Sequence, residues 1–155
     1  MGSILNIEGV VGDRREQGLS PAEVEDVLAV AYLAMRADRK LTEEEVDTFE
    51  RAVAALLGGE PGDDRAADLM DKFAGQCRER GLDGMLAQVS LRLRRQEARR
   101  QAYKLAYAMS LSDLDTNDEE FLFEDRLREA LGIDEQTAEE LMDEVIVAIE
   151  APEAS

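Results

Sequence analysis

Oxygen-bearing side chains recur at a metal-loop spacing in the stretch SDLDTNDEEFLFE, residues 112–124. Asp113, Asp115, Asn117 and Glu124 fall at the first, third, fifth and twelfth places of an EF-hand loop, and ligands of this hardness suit Ca²⁺ or Mg²⁺. The sixth place, where such loops turn on glycine, holds Asp118, and Glu120 stands where an aliphatic side chain is usual. The same residues also spell a helix start. Asn117 followed three places on by Glu120 is a capping box, and carboxylates in a first turn are favoured by the helix dipole without any ligand. The sequence therefore offers two readings of Asp113, Asp115 and Glu120: a divalent-cation site, or a ligand-free helix cap.

A second chemical feature is the separation of charge. Residues 78–104 carry eight Arg and Lys against three acids, whereas residues 113–153 carry sixteen acids against Arg126 and Arg128. Arg92, Arg94, Arg95, Arg99, Arg100 and Lys104 have the chemistry to contact phosphates or lipid headgroups. However, Tyr103 is the only aromatic residue among them, and a formal net charge of −18 repels nucleic acid and anionic membrane. The expected counterpart is acidic instead: the chain's own helices, a protein partner, or a second copy of the chain.

Catalysis finds few tools in this composition. There is no histidine, and Cys77 is the only cysteine, so neither a Cys/His dyad nor a CxxC redox pair can be built. No nucleophile–base pair or glycine-rich phosphate loop is visible, and no enzymatic activity is expected. Cys77 reads as a small apolar residue on a helix. No apolar run approaches the roughly 18 residues of a membrane span, and MGSILNIEGVV lacks a basic n-region with a following apolar stretch. The reading is a cytoplasmic protein without an integral membrane segment.

The elements that must position these groups are helices. Alanine, leucine, glutamate and arginine dominate, and capping signals recur. Ser20, Pro21 and Glu23 open one helix; Thr42 and Glu45 open a second, which carries Val46, Phe49, Val53 and Leu56 on one face and stops at Gly58. A third runs from about Asp63 to Arg80 with Gly81 beyond it, and a fourth begins near Leu82 with Met85, Leu86, Val89 and Leu93 as its stripe. Residues 24–35 and the second half of RRQAYKLAYAMSLSD are apolar nearly all round, which predicts burial at the centre. Asn117 and Asp134 cap the sixth and seventh helices. The expectation is one all-α domain of seven helices over residues 20–150, preceded by a weakly structured arm, 1–19, and followed by a disordered tail, 151–155.

Residues 28–57 align with 103–132 at an offset of 75, with identities at Ala31/Ala106, Tyr32/Tyr107, Asp38/Asp113, Glu44/Glu119, Glu45/Glu120, Arg51/Arg126, Ala55/Ala130 and Leu56/Leu131. The order of apolar helix, acidic loop and capped helix is shared, which reads as two copies of one helical hairpin. The first acidic stretch, AMRADRKLTEEE, and its second copy with a closing Leu-Gly-Ile resemble the A-D-G-x-I-S-x-x-E signature of TerB-like (tellurite-resistance) domains. The resemblance covers roughly residues 20–147. It implies a seven-helix bundle of two pseudo-repeated hairpins, a role in bacterial stress response through protein–protein interaction, and metal binding by acidic signature positions. Those positions are Asp38 and Glu45 in the first copy and Asp113 and Glu120 in the second. The glycine that follows each aspartate in the family pattern is Arg39 in one copy and Leu114 in the other, so a tight positive-φ turn is harder to form.

Overall fold

The structure, a computed structural model, describes residues 7–11, 18–37, 42–58, 60, 64–111 and 118–150, with the side chains of 118–122 and 150 outside that description. Among the described residues the chain is all-helical. Its seven helices are α1 (Ile7–Val11), α2 (Pro21–Ala37), α3 (Glu43–Leu57), α4 (Asp64–Arg92), α5 (Gln96–Leu111), α6 (Asp118–Ala130) and α7 (Glu135–Glu150).

Local capping chemistry sets where the helices begin. Ser20 Oγ accepts from the Glu23 amide at 3.1 Å, and the Glu23 carboxylate accepts from the Ser20 amide at 2.9 Å. Thr42 and Glu45 form the same reciprocal box at the start of α3. At α7, Asp134 accepts from the Thr137 amide at 2.7 Å. The turn between α6 and α7 closes on Gly132 at φ 67°: the Ile133 amide donates to Arg128 O and the Gly132 amide to Glu129 O, which satisfies carbonyls that the helix end leaves open.

Apolar faces then decide how the helices pack. Every residue of α2 from Val27 to Met35 is buried, and its most extensive contact is with α5, where Ala98, Ala102, Ala106 and Ala108 are also buried. Small side chains at this crossing let the two axes approach closely. Helix α4 also packs on α2, with the Phe73 ring 5.7 Å from that of Tyr32. Burial of each large apolar side chain in this core contributes about 1.5–3 kcal/mol.

The seven helices among the described residues equal the expected number because two expected helices share one label and one unexpected helix is added. The third and fourth expected helices are both present and break at Gly81, where the sequence places the break: its φ of 75° and ψ of 166° are not helical, and the label α4 spans the two segments. The seventh helix comes from the arm expected to be weakly structured. Residues 7–11 form α1, with Ile7, Val10 and Val11 buried against α3, α5 and α7. Glu8 is bonded to Arg51 and the Val10 carbonyl accepts from Gln101 Nε2 at 3.3 Å. Five residues are too few to show a helical period in sequence, and tertiary burial holds them in place. Among the described residues, no helix is long and apolar enough to cross a membrane.

The offset found in the sequence reappears in the helix starts. Helix α5 begins 75 residues after α2, at Gln96 against Pro21, and α6 begins 75 residues after α3, at Asp118 against Glu43.

Candidate functional site

Helices α5, α6 and α7 enclose an open cleft of about 410 Å³. Tyr103 and Tyr107 come from α5, Glu124, Asp125 and Arg128 from α6, and Glu135, Ala138, Glu139 and Met142 from α7. Each helix contributes residues three, four or seven places apart, so one face of each lines the cleft. The frame beneath is fixed by hydrogen bonds to carbonyls. Arg99 donates to Leu93 O at 2.5 Å, Ser90 O at 3.2 Å and Leu131 O at 3.0 Å, which joins the end of α4 to the end of α6. Arg128 Nη1 donates to Ile133 O at 3.1 Å across the α6–α7 turn.

Glu124 is the polar centre of the cleft. Its Oε1 lies 2.9 Å from Ser110 Oγ, which is also 2.7 Å from the Tyr107 carbonyl. One hydroxyl proton serves one of these two acceptors at a time. Burial pushes the Glu124 carboxyl up from its ordinary value, against the Ser110 hydrogen bond, and Asp125 next to it pushes the same way. Tyr103 is only 2% exposed, and burial together with the Glu124 carboxylate raises its phenol to about 12. The Tyr107 phenol is raised too, first by burial and then by Glu124 and Asp143. Both tyrosines are therefore neutral hydrogen-bond donors at neutral pH.

The carboxylates of this cleft differ from those of a smaller one, about 240 Å³, between α2 and α4. There Arg92 meets Asp26 at 2.9 Å and Lys72 pairs with Glu25, so the charges are neutralised within the fold. In the α5–α7 cleft, Asp125, Glu135 and Glu139 form no ion pair among the described residues.

The basic strip divides into two groups. Arg92 binds Asp26, Arg95 binds Glu23 at 2.8 Å and Gly18 O at 2.7 Å, and Arg99 is the carbonyl clamp described above. Arg95 holds the Glu23 carboxyl down at about 2. Arg94 and Arg100 are exposed and Lys104 is half-buried, and none of the three forms an ion pair among the described residues.

Of the acidic candidates, Asp38, Asp113 and Asp115 lie outside the described residues, and the Glu120 side chain does too. Glu45 is described. It is buried at the start of α3, where its carboxylate accepts from Thr42 N at 3.2 Å and Thr42 Oγ1 at 3.1 Å. Among the described residues, no group of three or more acidic or cysteine side chains is arranged to hold a metal ion. Cys77 sits half-buried with Sγ 3.7 Å from Met85 Sδ, and burial raises its thiol.

Sequence reasoning did not anticipate the cleft, because its residues converge from three helices. A signal was nevertheless present in the repeat. At the offset of 75, Glu124 aligns with Phe49 and Ser110 with Met35, so the later segment is polar where the earlier one is buried and apolar. Compared with known proteins, the chain matches no family model, no curated protein and no solved structure.

Proposed function

We propose that the protein is a non-catalytic, cytosolic helical module of the TerB-like, stress-response type, and that it acts by binding another protein through the α5–α7 cleft. The observation that carries this reading is the composition of that cleft: two neutral tyrosines and four carboxylates, with Arg128 the only cation among the described residues that line it, presented on helices whose ends are pinned. Aromatic groups with a few placed polar atoms on a rigid frame make a recognition surface. The TerB-like assignment is supported by the two signature-like stretches and by helix starts that repeat at the same offset. Arg94, Arg100 and Lys104 offer a second, basic surface for an acidic partner or another copy of the chain. The divalent-cation alternative rests on the loop spacing of Asp113, Asp115, Asn117 and Glu124 and on the resemblance, which implies metal binding by Asp38, Glu45, Asp113 and Glu120.

A photo-crosslinking amino acid at Glu139, on the cleft, and another at Glu79, on α4, test the reading in intact cells. A protein adduct specific to position 139 and lost in Asp125→Arg is expected. Identical adducts from both positions would remove the cleft as the binding surface.

A further inference from the structure

The α5–α7 cleft has a composition that selects among ligands. Its lining carries Glu124, Asp125, Glu135 and Glu139 against Arg128, so an anion is repelled. Arg128 is itself engaged with the Ile133 carbonyl. Tyr103, Tyr107, Ala138 and Met142 supply aromatic and apolar surface that a hydrated metal ion would not use, but that a methylene chain would cover. Tyr103 lines the cleft with only 2% of its surface exposed, and its hydroxyl has no hydrogen-bond partner among the described residues. Glu124 beside it is held by a single shared hydroxyl.

We propose that this cleft binds an alkylammonium group, with the cation against Glu124, the Tyr103 hydroxyl oxygen and the Tyr107 ring, and its methylene stem along Met142. A cation over an aromatic face and beside a partly desolvated carboxylate is favoured by both the ring quadrupole and the local charge. The remaining carboxylates draw it in from solution. The same chemistry is offered by a lysine side chain on a protein and by a free polyamine. The inference rests on the cleft being a recognition site, as proposed above, and specifies what it recognises.

The test follows the ring resonances of Tyr103 and Tyr107 by NMR while the whole chain is titrated with spermidine and, separately, with the peptide acetyl-Gly-Lys-Gly-amide. Saturable shifts of both rings are expected, weakened on the order of tenfold in Glu124→Gln and unchanged in Glu79→Gln. Gln keeps an acceptor for Ser110, and a thermal melt of each variant verifies that the fold is intact. Tyr103→Phe provides a second variant and should weaken binding without removing it. The tighter of the two probes identifies the source of the ammonium group. Shifts that NaCl reproduces at equal ionic strength, or that Glu124→Gln leaves unchanged, would overturn the proposal. The two readings fail separately. If neither probe binds while the position-139 adduct is still lost in Asp125→Arg, the ligand class is wrong and the protein-binding reading stands. Probe binding without any such adduct leaves the ligand class standing and removes the protein partner.

Discussion

Helices α2 and α3 and helices α5 and α6 start at positions 75 residues apart and share residues such as Tyr32 and Tyr107, yet they spend corresponding positions differently. Phe49 is completely buried in α3; Glu124, its counterpart in α6, is partly buried and hydrogen-bonded to Ser110, which corresponds to the buried Met35. Leu28 in the first region corresponds to Tyr103 in the second. One region therefore contributes packing, and the other exchanges some packing for a polar cleft. Polar groups placed where the aligned segment is apolar are costly, and they persist where they have a use.

The largest expected effect lies on the packing side. Phe49→Ala should cost about 3–5 kcal/mol of stability in urea denaturation, because it opens a cavity in a closed core. Glu124→Phe, which gives the second region the residue of the first, should stay within about 1 kcal/mol of the parent or exceed it: an unfavourably buried carboxylate is removed beside open space. Equal losses for the two variants would erase the contrast.

A smaller effect tests whether both regions start their capped helices alike. Thr42→Ala removes the observed box on α3 and should cost about 1 kcal/mol in thermal melts. Asn117 lies outside the described residues, and Asn117→Ala should cost about the same if it caps α6. A negligible loss there would mean that the acidic loop of the second region has a different structure.

Acid should separate the two regions by sign. Glu23, on α2, is held at about 2 by Arg95, so its contribution is present above the ordinary value of 4.5 and is lost as pH falls toward 2. Glu124 is raised, so its contribution is full below 4.5 and is lost as pH rises through its folded value. Relative to the parent, Glu124→Gln should gain stability on going from pH 4 to pH 7, and Glu23→Gln should lose it. Parallel curves for the two variants would contradict this assignment. Both effects are modest, since Glu23 pairs with an exposed arginine and solvent screens that pair.

What could be read in the sequence was local. Ser20 with Glu23, Thr42 with Glu45, and Asp134 announce helix starts within four residues, and the stripe Met85, Leu86, Val89 and Leu93 is buried as its spacing requires. Features that depend on several elements at once were not legible. Spacing alone does not tell that Arg92, Arg95 and Arg99 are bonded to Asp26, Glu23 and backbone carbonyls while Arg94 and Arg100 form no ion pair among the described residues. Helix α1 was missed because its stability comes from neighbours remote in sequence, and the cleft because no single helix shows more than one wall of it.

The smallest expected effect concerns the acidic loop itself. The two regions align Glu45 with Glu120, and Glu45 is buried with its carboxylate committed to Thr42. Glu124, the twelfth place of the loop spacing, is turned to Ser110. The twelfth-place carboxylate that a calcium cage needs is thus already used by the fold, Glu120 is used as well if it follows its counterpart, and a glycine is missing at the sixth place. Calorimetric titration of metal-stripped protein with Ca²⁺ and Mg²⁺ should then show no saturable heat, and any slight stabilisation should be matched by NaCl, which screens the same acidic repulsion. Stoichiometric binding removed by Asp113→Asn or Glu120→Gln would sink this expectation. It would also deepen the contrast between the regions, because the second would then bind a cation through a loop whose counterpart in the first places two basic residues, Arg39 and Lys40, beside Asp38.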